Sequence, residues 1–215
     1  MSGHSHRGGG GHGHGNCADE HSHDDGPERG MQFTLYTKID KDNVECLNEV
    51  DDGSGKLVFK PWDERLDKEK LVESDADEEL LFNIPFTGHV KLKGIVVIGG
   101  EEDYHPAEMR LFKNRPHMTF DDVRADADQV FEMQRDRTGE LEYSTKIARF
   151  SGVHTLSIHF SKNFGEDSTK IYYIGLRGEF SPAPRQEVLL VSYEAYPNPA
   201  DHKTSLQDQA RHEIQ

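Results

Sequence analysis

Cysteine is scarce in this chain. Cys17 and Cys46 are the two among 215 residues, and no Cys-x-x-Cys pair exists. A disulfide framework is therefore excluded as a source of stability, and a reducing compartment is expected. That compartment is the cytoplasm, with the nucleus open to a chain this small. Long apolar runs are also missing. None exceeds four residues, Ile95–Ile98 being one, whereas a membrane helix needs roughly 20. The N-terminus has no apolar core of the kind a signal peptide carries. Positive charge is outweighed, with 25 Lys and Arg against 40 Asp and Glu and a formal net charge of −15. Phosphate backbones and anionic lipid would repel such a chain, so neither nucleic acid nor a membrane surface is an expected partner. A basic groove on another protein, or a bound cation, suits it better. Catalytic patterns are absent too: there is no Gly-x-Ser-x-Gly elbow and no His-Glu-x-x-His. The run Gly8–Gly11 lacks the Lys that a phosphate loop uses. His154 and His159 lie five positions apart, which on a strand sends them to opposite faces. The expectation is a chain that is not an enzyme and takes no cofactor.

Apolar residues make up 33% of the chain, and mean hydropathy is −0.81. Both values are low for a compact domain, so part of the sequence should lie outside any core. Residues 1–30 are the first such part, because they are rich in Gly and His and offer little to offset the entropy of ordering. His4 and His6, His12 and His14, and His21 and His23 form three His-x-His pairs there. With His212 near the other end, these are weak candidates for metal binding. They are adventitious at most, since a structural site needs positioned ligands. Residues 203–215 read as a loose C-terminal tail.

Between the tails the pattern is that of strands. Asp40–Leu47 is expected to form a short helix capped by Asp40, because Val44 and Leu47 stand three apart. Asp51–Gly55 reads as a turn. Nine strands are expected, at Leu57–Phe59, Leu80–Ile84, Val90–Ile98, Met109–Phe112, Val130–Met133, Leu141–Ile147, Val153–Phe160, Lys170–Leu176 and Val188–Tyr193. In the segment from His154 to Phe160, Leu156, Ile158 and Phe160 share one face and Thr155, Ser157 and His159 the other. Ile95–Ile98 does not alternate, which predicts a central strand covered on both faces. Short strands without long amphipathic helices between them point to an all-β antiparallel sandwich. Trp62 is expected as a core plug or lid.

The densest acidic feature is Glu73, Asp75, Asp77, Glu78 and Glu79, running into the strand at Leu80. Its spacing does not match the calcium loop of an EF-hand. What remains is a solvated turn or a protein-docking patch, and the patch is the reading adopted. Arg177, between Leu176 and Gly178, is included as a residue expected beside an acidic loop, the alternative being an ordinary strand-end ion pair.

Several of these segments occur together in a familiar order. Glu45-Cys-Leu-Asn-Glu49, the stretch Glu73–Leu81, Val90-Lys-Leu92, Phe112-Lys-Asn-Arg-Pro116 with Met118 and Phe120, and Tyr173-Ile-Gly-Leu-Arg-Gly-Glu179 resemble the PITH domain, the proteasome-interacting domain found after a thioredoxin domain. The resemblance spans about Gln32 to His202 and sets the expected domain at 31–202. It implies a jelly-roll sandwich of galactose-binding-like type. It also implies a non-enzymatic module, expected to be a monomer, that docks on the regulatory particle of the 26S proteasome and modulates it. Redox activity is not implied, because the thioredoxin motif is missing. The alternative is a sandwich that binds a small ligand or carbohydrate.

Overall fold

The computed structural model describes residues 30–183. The His-rich tail, the strand expected at Val188–Tyr193, the C-terminal tail and His212 lie outside the described residues. Eight strands make up the fold: β1 (Glu45–Leu47), β2 (Val72–Glu73), β3 (Leu80–Gly99), β4 (Pro106–Lys113), β5 (Gln129–Glu132), β6 (Glu142–Ser144), β7 (Val153–Asn163) and β8 (Lys170–Pro182). Every pairing between them is antiparallel. The all-β antiparallel architecture is thus as expected.

Strand β3 organises the molecule because it belongs to both layers. Over its first residues it lies between β1 and β7, so that Phe82 opposes Cys46 on one edge and Ile158 on the other. Beyond Val90 its neighbours are β8 and β6, and Val96 opposes Gly175 and Glu142. The register with β7 shifts between Pro85 and Val90, where the strand passes from one layer to the other. Proline costs little there. It has no N–H to give, and its carbonyl still accepts the Asp40 N–H at 2.9 Å.

The main core fills the space between the layers. Leu80, Phe82 and Ile84 meet Ile95, Val97, Leu156, Ile158, Ile174 and Leu176 in one cluster. Two smaller clusters cover the outer faces. Val96, Ile98 and Tyr173 lie under Phe33 and Trp62, and Leu81 and Phe112 lie under Met118 and Val123. Ile95–Ile98 is therefore covered on both faces, as its lack of alternation predicts. Trp62 is the expected lid. It is stacked on Phe33 with ring centroids 4.9 Å apart and meets Tyr173 edge-on at 6.0 Å.

Four expectations need correction. Asp40–Leu47 is not a helix but a 3-10 turn at Lys41–Asn43 followed by β1. The edge of β3 beside Leu81–Asn83 offers backbone partners that outweigh a weak local preference. Leu57–Phe59 is not a strand, because Ser54–Val58 winds into a 3-10 turn. The Glu49 carboxylate accepts the N–H groups of Gly53 and Gly55, both at 2.6 Å, and holds the turn closed. The strands expected at Leu80–Ile84 and Val90–Ile98 are one continuous strand. Leu141–Ile147 shrinks to the three residues of β6. Among the described residues no helix is long and apolar enough to cross a membrane.

Candidate functional site

The acidic segment begins as an edge strand and ends as a stitched turn. In β2, Glu73 opposes Lys170 of β8. Its carboxylate accepts the Ser168 hydroxyl at 2.8 Å and pairs with the Lys170 ammonium at 3.2 Å. Ser74 is buried, where its hydroxyl oxygen accepts the Thr169 N–H at 2.8 Å and its own N–H donates to the Thr169 carbonyl. The Thr169 hydroxyl in turn donates to the Glu78 carbonyl at 2.6 Å.

Asn48, just after β1, is the hub of the turn. It sits at φ +70, a left-handed conformation that asparagine tolerates better than most residues. Its side-chain amide donates to the Asp77 carboxylate at 2.8 Å and to the Glu79 carbonyl at 2.7 Å. Its side-chain oxygen accepts the Ala76 N–H at 3.0 Å, and its backbone carbonyl accepts the Asp75 N–H. Asp77 also accepts the Glu79 N–H at 3.0 Å.

The far end of the turn reaches a buried histidine. Glu79 Oε2 lies 2.8 Å from His159 Nε2. His159 is 2% exposed, Phe120 packs edge-on against it at 6.1 Å, and its Nδ1 is buried without a hydrogen-bond partner. Burial pushes the His159 imidazole below its ordinary pKa, while the hydrogen bond and charge of Glu79 work in the other direction. Beside the pair is an open groove of about 590 Å³, whose lining mixes Asp77 and Glu79 with Arg110 and Lys162.

The six residues predicted from sequence thus fall into three groups. Glu73, Asp77 and Glu79 are in the knot, but their carboxylates hold the fold together. Asp75 and Glu78 are there with side chains that have no hydrogen-bond or ion-pair partner among the described residues. Arg177 is not brought to the knot. It lies in β8 opposite Gly94, seven residues beyond Lys170. It pairs with Glu142 of β6, with Nε 2.6 Å and a terminal nitrogen 2.5 Å from Oε1. Of the two readings of Arg177, the ordinary ion pair is the one observed. Strand register fixes its partner, and that partner is one half-buried glutamate across β3. Asn48, Thr169 and His159 were missed as parts of the knot. An asparagine inside the segment Glu45–Glu49 was the one local hint, since asparagine is favoured where the backbone turns left-handed.

Among the described residues, no three His, Cys, Asp or Glu side chains converge as a metal-ligand set. Cys46 is a free thiol that burial, reinforced by the nearby Glu49 carboxylate, pushes well above its ordinary pKa.

The PITH domain model matches residues 25–197. The chain belongs to the PITH domain family. PITH domain-containing protein 1 of Xenopus laevis is 61% identical over 203 residues, covering 94% of each chain. The human protein of the same name is 59% identical over 202 residues, covering 94% of this chain and 93% of its own length. That of Dictyostelium discoideum is 35% identical over 199 residues, covering 92% of this chain and 98% of its own. Among solved structures, CBM32-3 from a family 31 glycoside hydrolase of Clostridium perfringens is similar at a TM-score of 0.45 with 14% identity, over 70% of this chain and 98% of that one. A likeness of that degree carries no argument about ligand. The β architecture of this PITH domain stands on its own strand pairing.

Proposed function

We propose that this PITH domain is a non-enzymatic docking module that binds the regulatory particle of the 26S proteasome and modulates it, with Asp75 and Glu78 presenting the charge. One observation carries the choice of residues. The knot's backbone is tied at Asn48 and Thr169, yet these two carboxylates have no partner among the described residues. Rigidly held, unpaired charges steer and orient a partner at little ordering cost. The family resemblance supports the proteasome as that partner, and the acidic balance of the chain favours a basic surface on it. A monomer acting in cytoplasm and nucleus fits the same reading.

The test is affinity purification of the full chain from cell lysate, followed by identification of proteasome subunits. Wild type should bring them down, and the double variant D75K/E78K should recover much less while melting at an unchanged temperature. Equal recovery would remove these two carboxylates from the reading, and no recovery with wild type would remove the proteasome. Asp77 is left out of the variant because it holds the turn.

A further inference from the structure

A second surface adjoins the knot at Glu73 and has a different make-up. Val50, Leu57 and Leu71 line a cavity of about 410 Å³ open to solvent. Val50 is 53% and Leu57 48% exposed, which is high for branched aliphatic side chains. The rim is acidic, with Asp51, Asp52, Glu69 and Glu73, and no basic residue lines the cavity. Glu73 is satisfied by Lys170 and Ser168. Among the described residues, no hydrogen-bond or ion-pair partner meets the carboxylates of Asp51, Asp52 and Glu69.

The lysines nearest in sequence are engaged elsewhere. Lys56 donates to the Asp42 carbonyl at 2.8 Å, Lys68 pairs with Glu101, and Lys70 pairs with Glu64 and Asp67. The negative potential over the cavity is thus not cancelled from within. The rim is also held in place. The Val50 N–H donates to the Glu73 carbonyl at 2.9 Å. Gly53 turns the chain at φ +85, and the Glu49 carboxylate takes the Gly53 and Gly55 N–H groups from beneath.

We infer that this groove between the Val50–Leu57 turn and the Glu69–Glu73 segment binds a basic peptide segment of a partner protein, one that sets an aliphatic side chain between flanking Arg or Lys residues. The aliphatic group covers Val50 and Leu57, and the cations meet Asp51, Asp52 and Glu69. Charge complementarity selects this occupant, because an acidic or neutral segment would leave three unpaired carboxylates facing it or desolvated beside it. Neither Asp75 nor Glu78 lines the groove, and its occupancy does not depend on proteasome docking.

The probe is a labelled synthetic peptide with a Leu-Leu pair between two Arg-Arg pairs, titrated with the full chain by fluorescence anisotropy. Two control peptides replace the leucines by serine or the arginines by glutamine. The basic apolar peptide should bind, bind more weakly as salt rises, and lose affinity about tenfold or more against D51K/D52K and against V50S/L57S. Both controls should bind less well. Amide shifts in NMR spectra of the wild-type chain should move at Val50–Leu57 and Glu69–Leu71, which keeps the test open should a variant fail to fold. Several results would overturn the inference: unchanged affinity for both variants, shifts confined to other surfaces, or loss of binding in D75K/E78K alone. Concentration-dependent dimerisation abolished by V50S/L57S would overturn it as well, since a second copy would then fill the groove.

Discussion

Arg177 and Glu142 pair across a strand that lies between them. Arg177 is on β8, Glu142 on β6, and Gly94 of β3 lies beneath the contact. A Cβ at position 94 would collide with Glu142 Oε1 and come within 2.7 Å of its Cδ. The absence of a side chain there is what lets the two charged groups meet while half-buried. This has a direct consequence for stability.

Gly94→Ala should destabilise the domain by about 1–3 kcal/mol, because the carboxylate must swing away from the guanidinium and leave a half-buried charge poorly paired. The same change made in a Glu142→Ala background should cost clearly less. Denaturant unfolding of the two single variants and the double variant measures the difference as a coupling energy. Additive losses would mean that the glycine serves something other than the pair.

Asn48→Ala removes two donors and one acceptor from the knot and places alanine at φ +70. The expected loss is about 2–4 kcal/mol, since several backbone groups lose partners at once and the new residue is strained. Asn48→Gly relieves the strain and should be somewhat milder. Hydrogen exchange should accelerate at Ala76 and Glu79 in both variants while the amides of β7 and β8 change little.

Acid should weaken the domain before its carboxylates titrate. The His105 ring is fully buried. Its Nδ1–H donates to the Pro106 carbonyl at 2.7 Å, and its Nε2 accepts the Asp136 N–H at 3.1 Å. Burial holds its pKa below 6.5, as it does for His159. A lowered histidine pKa means that the unfolded chain binds the proton first. Stability is therefore complete above about pH 6.5 and declines as pH falls from there toward the lower folded values. Unfolding midpoints measured from pH 7.5 down to 5 should show this decline. His105→Gln, though less stable at pH 7.5, should show a shallower one.

Cys46 should be chemically quiet. Its raised pKa leaves little thiolate at neutral pH. In a Cys17→Ser background, a thiol-reactive dye should label the native chain at a small fraction of the rate seen in denaturant. Rapid native labelling would show that the turn over Cys46 opens readily.

Much of the β fold was legible in advance. The alternation of Leu156, Ile158 and Phe160, the two-sided run at Ile95–Ile98 and the single tryptophan all follow from side-chain period and burial, which are local properties of a strand. The polar face of β7 was less so. Thr155, Ser157 and His159 alternate outward as a solvated face would, yet all three are buried, with Glu79 and Phe120 against His159, Asn83 and Arg115 against Ser157, and Asn114 against Thr155.

The all-β character, the spread of family motifs along most of the chain and the dense acidic turn ahead of the long central strand can all be read from residue order. Which of those acids are free depends on how the strands come together. The partners that occupy Asp77, Glu73 and Glu79 come from residues 29, 95 and 80 positions away. A carboxylate's role depends on whether a donor reaches it, and donors at that separation are delivered by strand register rather than by neighbours in sequence. The same register pairs Arg177 with Glu142, away from the knot, and leaves Asp75 exposed and Glu78 half-buried, neither carboxylate with a partner among the described residues.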